Sequence, residues 1–192
     1  MSIVIPEQYY SYRIIGLDPG THYTGVSVYE IDTIARRIRS IEAFTINTER
    51  LPNRTGLDEE YFGERLIKLI KLRMALTDFV YRIQPQAVAC ESPFYNRFRP
   101  MAYGALLETL SYIHTAVLDV DTRIFFKTIE PLLVKKSVGA GIMKGKIDVK
   151  YCIENNQEIM SVMQSDIDLL DEHAVDSIAV GYAFIKNSGV LI

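Results

Sequence analysis

After Arg13, residues Ile14-Ile15-Gly16-Leu17 form an apolar run that ends on one carboxylate, Asp18, and Pro19-Gly20 turn the chain directly afterwards. Proline presets the turn and glycine reaches backbone angles that other residues avoid, so the stretch reads as a strand entering a hairpin. Thr24-Gly25-Val26-Ser27-Val28-Tyr29 would be the returning strand. A carboxylate among Ile, Leu and Gly is expensive to bury unless something positive neutralises it. Asp18 is therefore read as one ligand of a metal site whose other ligands come later, although an isolated Asp-Pro-Gly is most often only a turn.

A chain of 192 residues suggests one domain with a proper core, and 48% hydrophobic with 23% charged residues argues against disorder. The formal net charge of -3 advertises no basic field, which leaves a nucleic-acid partner to be recognised through a local patch. Two cysteines, Cys90 and Cys152, are too few for a disulfide framework or a cysteine-rich zinc site, and a reducing cytosol suits them. No secretory pattern opens the chain and no apolar stretch reaches membrane-span length, so a soluble protein is expected.

Residues 1–12 read as a short extension and 13–192 as a single domain. Strands are expected over about 12–18, 23–30 and 38–46, with an alternation that suits an antiparallel sheet. Arg36, Arg37 and Arg39 fall at the second turn. Over 57–83 the apolar period changes to three and four residues, which predicts one long amphipathic helix. Ala87-Val88-Ala89-Cys90-Glu91 reads as a short buried strand that also finishes in a carboxylate; reached through a helix, it should run parallel to a neighbour. An aromatic and basic loop follows, with Phe94, Tyr95, Arg97, Phe98 and Arg99. Next comes a helix over about 101–118 whose Ala102, Gly104, Ala105 and Ala116 permit close approach, by burial or by a second subunit. A fifth strand is read over 123–126, and a basic stretch over 127–150 carries Lys135, Lys136, Lys144 and Lys146. Residues 147–153 begin another helix, and 171–184 read as a terminal one. The order predicts an α/β layered domain.

Three acids stand where structure alone would not put them. Asp18 and Glu91 each close an apolar strand, and Asp176 sits in a helix among Ala174, Val175, Ile178, Ala179 and Val180. His173, three residues before Asp176, shares its helix face; Asp171 and Glu172 are expected to face solvent. Clustered carboxylates repel unless a cation neutralises them, and hard oxygen donors point to Mg²⁺ or Mn²⁺ rather than zinc. Two such ions can bracket a phosphodiester. The plainer readings are that Glu91 caps or salt-bridges, that His173 is a surface or satisfied core residue, and that Cys90 merely packs. Phe94, Tyr95 and Phe98 would likewise fold back on the core, and the lysines form a solvated face. Asp176 resists such a reading, because burying an acid in mid-helix has little structural use.

Together these pieces resemble the RuvC family of Holliday junction resolvases. Ile14-Ile15-Gly16-Leu17-Asp18-Pro19-Gly20 with Thr24-Gly25 looks like that family's first motif, and Gln84 to Glu91 followed by Phe94 looks like its second. Val138-Gly139-Ala140-Gly141 leading to Lys144 and Lys146 is similar to its basic DNA-contacting loop, and His173-Ala174-Val175-Asp176-Ser177-Ile178-Ala179 to its final helix motif. The resemblance implies a ribonuclease H-like fold, a mixed five-stranded sheet flanked by helices. It implies a homodimeric endonuclease, dependent on Mg²⁺ with Mn²⁺ able to substitute, that cuts four-way DNA junctions by paired nicks during recombination or replication-intermediate processing. Asp18, Glu91, His173 and Asp176 would then be the catalytic and metal set. Phe94 would reach the junction's bases with help from Tyr95, while Arg97, Arg99 and Lys144 or Lys146 would contact DNA. The helix after Glu91 would be the dimer interface, and the setting would be the cytosol of a bacterial or virus-infected cell.

Three rivals make distinct demands. An actin-like or sugar-kinase-type ATPase would need a second Asp-x-Gly turn and a longer chain. A ribonuclease H-like nuclease for RNA or other branched DNA would keep the acids but want a different substrate. A non-catalytic junction binder would have no need of three acids and a histidine.

Overall fold

The computed structural model describes residues 11–95, 97–98, 100–140 and 148–189. Three antiparallel strands open it: β1 (Ser11–Asp18), β2 (Tyr23–Asp32) and β3 (Arg37–Asn47). A one-turn helix α1 (Glu59–Phe62) and the 20-residue α2 (Glu64–Ile83) follow, and then β4 (Ala87–Glu91), which adds to the other side of β1 in parallel. Helix α3 (Pro100–Leu118) leads to β5 (Phe125–Ile129), which is parallel to β4. The sheet order is β3-β2-β1-β4-β5, the expected mixed five-stranded sheet. The chain closes with α4 (Pro131–Ser137), α5 (Val149–Glu154), α6 (Gln157–Met160), a 3₁₀ turn at Ile167–Leu169, and α7 (Glu172–Ser188).

Side-chain alternation divides the core into two layers. From β1, Tyr12 and Ile14 join the layer under α7, whereas Ile15 and Leu17 join the layer that includes Leu72, Leu76 and Val80 of α2 and Ile113, Ala116 and Val117 of α3. β4 splits the same way, Ala87 and Ala89 toward α7 and Val88 and Cys90 away from it. Each fully buried Ile, Leu or Val contributes about 1.5–3 kcal/mol, so the central β1–β4 pair, covered on both faces, anchors the domain.

α7 lies unusually near the sheet, and glycines make room for it. A Cβ on Gly25 would stand 1.8 Å from the carbonyl oxygen of His173, and one on Gly16 would stand 2.5 Å from that of Ser177. The gap is filled by polar contacts instead: Ser27 Oγ donates to Ser177 O at 2.7 Å, and the buried Tyr29 hydroxyl donates to Ile178 O.

Several expectations shift. The long helix predicted over 57–83 is broken at Gly63, whose φ of 80° ends α1 and starts α2. The fifth strand begins at Phe125 rather than 123, because the Arg123 guanidinium doubly holds the Asp121 carboxylate in a turn before Phe125 pairs with Ala87. α4 was not foreseen in the basic stretch; Pro131 starts it, and Val134 is buried beneath it. Asp171 is exposed, as expected, and in addition caps α7, accepting from Ala174 N at 3.0 Å and from Thr45 Oγ1. Among the described residues, no helix is long and apolar enough to cross a membrane.

Candidate active site

The parallel pairing of β1 with β4 sets Leu17 beside Cys90, so the next residue of each strand, Asp18 and Glu91, emerges at the same edge of the sheet. Seventy-three positions apart in sequence, these acids become neighbours through register alone. α7 begins over that edge, and His173 Nδ1 hydrogen-bonds Asp18 Oδ2 at 2.8 Å. The imidazole stacks on Tyr23 of β2, with ring centroids 5.7 Å apart and planes 13° from parallel. One helical turn on from His173, half-buried Asp176 faces the same group. Cys90, entirely buried beside the acids, is a packing residue whose thiol burial pushes well up in pKa.

The acids are costly as they stand. Burial, then Asp18 and Asp176, push the Glu91 carboxyl up to about 7. Burial and Asp18 push Asp176 up to about 6. Asp18 is itself raised by burial, although its hydrogen bond from His173 pulls the other way. Lys135 of α4 opposes the trend at both Glu91 and Asp176, which makes it a cation that faces this edge. Among the described residues, no three His, Cys, Asp or Glu side chains close around a point that would enclose a metal ion. What the structure presents is an edge of three mutually repelling carboxylates with one imidazole. That donor set, all hard oxygen plus one nitrogen, suits a hard divalent cation.

The loop after β4 leaves the core rather than folding onto it. Phe94, Tyr95 and Phe98 are 65%, 57% and 77% exposed. Tyr95 meets Tyr103 of α3 edge-on at 5.5 Å, and the Arg97 guanidinium lies 4.6 Å from the centre of the Phe98 ring. Exposed aromatics interleaved with arginine, adjoining Glu91, form a surface on which bases can stack.

No family model matches the sequence. A crossover junction endodeoxyribonuclease RuvC from Neorickettsia sennetsu is 24% identical over 181 residues, spanning 93% of this chain and 99% of that protein. Thermus thermophilus RuvC in complex with a Holliday junction substrate superposes with a TM-score of 0.62 at 15% identity, over 90% of this chain and 91% of that one. The yeast mitochondrial Holliday junction resolvase Ydc2 gives 0.63 at 9% identity, over 95% and 83%. The chain is RuvC-like in sequence and fold.

In this RuvC-like chain the structure brings Asp18, Glu91, His173 and Asp176 to one sheet edge, and sets Phe94, Tyr95 and Arg97 in the adjoining loop. Arg99, Lys144 and Lys146 lie outside the described residues. Two contributors were not foreseen. Tyr23, which orients the imidazole, gave no signal beyond its position in the hairpin. Lys135 was visible only as one lysine among several; its relation to the acids depends on how α4 packs against α7.

Proposed function

We propose that this chain is a divalent-metal-dependent endonuclease that resolves four-way DNA junctions by paired symmetric nicks, with residues 13–192 as its nuclease domain and 1–12 as an extension. The observation that carries the reading is the convergence of Asp18, Glu91, His173 and Asp176, from three separate elements, on one edge of a RuvC-like sheet. An inert scaffold gains nothing from placing repelling, half-buried acids together.

Asp18, Glu91 and Asp176 are the residues that would hold Mg²⁺, with Mn²⁺ as a substitute. When bound, such a cation activates water and offsets charge on the scissile phosphodiester. His173 is fixed by donation from Nδ1 to Asp18, and Nε2, 4.0 Å from Glu172 Oε1, is the nitrogen that would position water or take its proton. Lys135, a cation whose charge is felt by Glu91 and Asp176, would offset the repulsion that these acids exert on a phosphate. Phe94 and Tyr95 supply stacking faces for bases opened at the crossover, and Arg97, Arg99, Lys144 and Lys146 supply charge to the DNA backbone.

Paired nicks require two active sites, and α3 has a face suited to a second copy. Met101 is 80% exposed, and a Cβ added at Gly104 would meet nothing, so the small residues there are not used within the chain. Both Cys90 and Cys152 are free thiols, in keeping with a reducing cytosol.

The test is cleavage of a labelled immobile four-way junction beside matched duplex, Y-shaped and RNA–DNA hybrid substrates, each with Mg²⁺, Mn²⁺ or chelator. Symmetric metal-dependent nicks near the crossover are the expected result. Cutting confined to hybrid or to Y and flap forms would replace the resolvase reading with that of a different nuclease, and binding without cutting would remove the enzyme.

A further inference from the structure

Lys68 of α2 is buried between the core residues Ile67 and Leu69. Its ammonium has three donors and no acceptor, and three groups able to accept surround it. They are Glu64 Oε1 at 2.5 Å, Glu49 Oε1 at 3.2 Å and His22 Nδ1 at 3.2 Å. Glu64 lies one turn back on α2, Glu49 just past the end of β3, and His22 in the turn that joins β1 to β2. The last two also approach each other, with His22 Nδ1 3.1 Å from Glu49 Oε1. The hydrogen bond to Glu64 holds the Lys68 ammonium above its ordinary pKa range in spite of burial. Burying an ion pair gains little net stability over an apolar side chain of similar volume. What Lys68 supplies is direction.

The direction is toward the imidazole. Thr48, fully buried, fixes the backbone of the turn, donating from N to His22 O at 2.9 Å and from Oγ1 to Thr21 O at 2.9 Å. The two rings that follow each other then go to opposite layers, His22 to Lys68 on α2 and Tyr23 to His173 at the start of α7. Tyr23 is 42% exposed, so packing alone does not hold its ring in the stack. The dipeptide spans the edge of the sheet, and the hold on its first ring sets the tilt of its second.

We propose that Lys68 is a positioning residue for His173: by holding His22 on the α2 side, it fixes the Tyr23 ring as the plane against which the imidazole lies. The consequence for cutting rests on the nuclease reading, though the chain of contacts does not. Asp18 holds one nitrogen of the imidazole, and Tyr23 holds its face. Together they fix both the position and the tilt of Nε2, and Lys68 acts on the second of these from the opposite side of the sheet.

The experiment compares the wild-type chain with Lys68→Met, with His22→Leu, which removes the link and leaves the buried lysine in place, and with Tyr23→Leu as the reference for a lost ring. The first readout is ¹H NMR of the His173 ring, assigned among the chain's three histidines by its absence in His173→Gln. A stacked tyrosine shields the carbon-bound imidazole protons, so Tyr23→Leu moves them downfield. Lys68→Met and His22→Leu should move them the same way. The second readout is single-turnover cleavage of the four-way junction with Mg²⁺. Both variants should slow it by about tenfold or more with junction affinity in chelator unchanged, since misplacement by about 1 Å costs on the order of 10²-fold. Lys68→Met combined with Tyr23→Leu should be no slower than the slower single variant, because residues that act as one device are not additive. Rate losses that multiply, or His173 shifts that stay at their wild-type values in His22→Leu, would overturn the proposal and leave Lys68 as a brace for the fold. Should Lys68→Met not fold, His22→Leu, at an exposed residue, carries the same test. A wild type that cuts nothing would sink the nuclease reading alone, and the His173 shifts would still decide whether Lys68 sets the ring.

Discussion

Glu91 shows how the site's chemistry is stored as instability. Its carboxyl is pushed from an ordinary 4.5 to about 7, so between those values the folded chain holds a proton that the unfolded chain has released. Stability of the metal-free protein therefore falls as pH rises through that window, by on the order of 3 kcal/mol for a shift of this size, and below about 4.5 the penalty is absent. Urea unfolding at pH 5 and pH 8 checks this: Glu91→Gln should flatten the pH dependence, be more stable than wild type at pH 8, and cut nothing. Mg²⁺ should stabilise the wild type more at pH 8 than at pH 5, and the difference should shrink in the Gln variant. At Asp18 the imidazole works in the opposite sense. Removing its hydrogen bond with His173→Ala should move the Asp18 titration upward, readable from the carboxyl ¹³C shift, and cleavage should fall by two or more orders of magnitude if Nε2 handles the water's proton, in keeping with the ~10²–10⁴-fold contribution of such a group.

At the scale of elements, the angle between α7 and the sheet sets where His173 and Asp176 stand. Gly25→Ala would place a methyl group inside the His173 carbonyl, so either α7 lifts or β2 bends. The expected cost is about 3 kcal/mol or more in unfolding free energy, with cutting reduced further than the folded fraction accounts for. Such a contact could not be read from sequence, because it belongs to a helix and a strand 148 positions apart. What could be read was local. β4 was legible to the residue, since Gln84-Pro85 and Glu91 bound a short apolar run, and α7 was legible from its unbroken apolar face. α4 was not, as seven residues with two lysines carry too little periodicity, and with it went Lys135. Phe94 was legible as an aromatic beside an acid, but not its exposure; Phe94→Ala should slow cleavage by more than it weakens junction affinity, measured by single-turnover kinetics beside equilibrium binding.

For the whole molecule, the decisive quantity is the number of copies that act together. If α3 pairs two chains, sedimentation should give a dimer near twice 21.9 kDa, and Gly104→Arg on its open face should shift it toward monomer. Such a monomer should still nick one strand while losing the second, coordinated cut, which a supercoiled cruciform plasmid distinguishes as nicked circles instead of linear product. The connectivity also divides the site between the two ends of the described chain. Asp18 and Glu91 meet once β4 has joined β1, but His173 and Asp176 arrive on α7, the last element described. Without α7 the same sheet would carry two of the acids and no imidazole above them. The arrangement is thus complete only once the far end of the described chain has docked: α7 brings the imidazole and, in the same act, covers one face of the sheet.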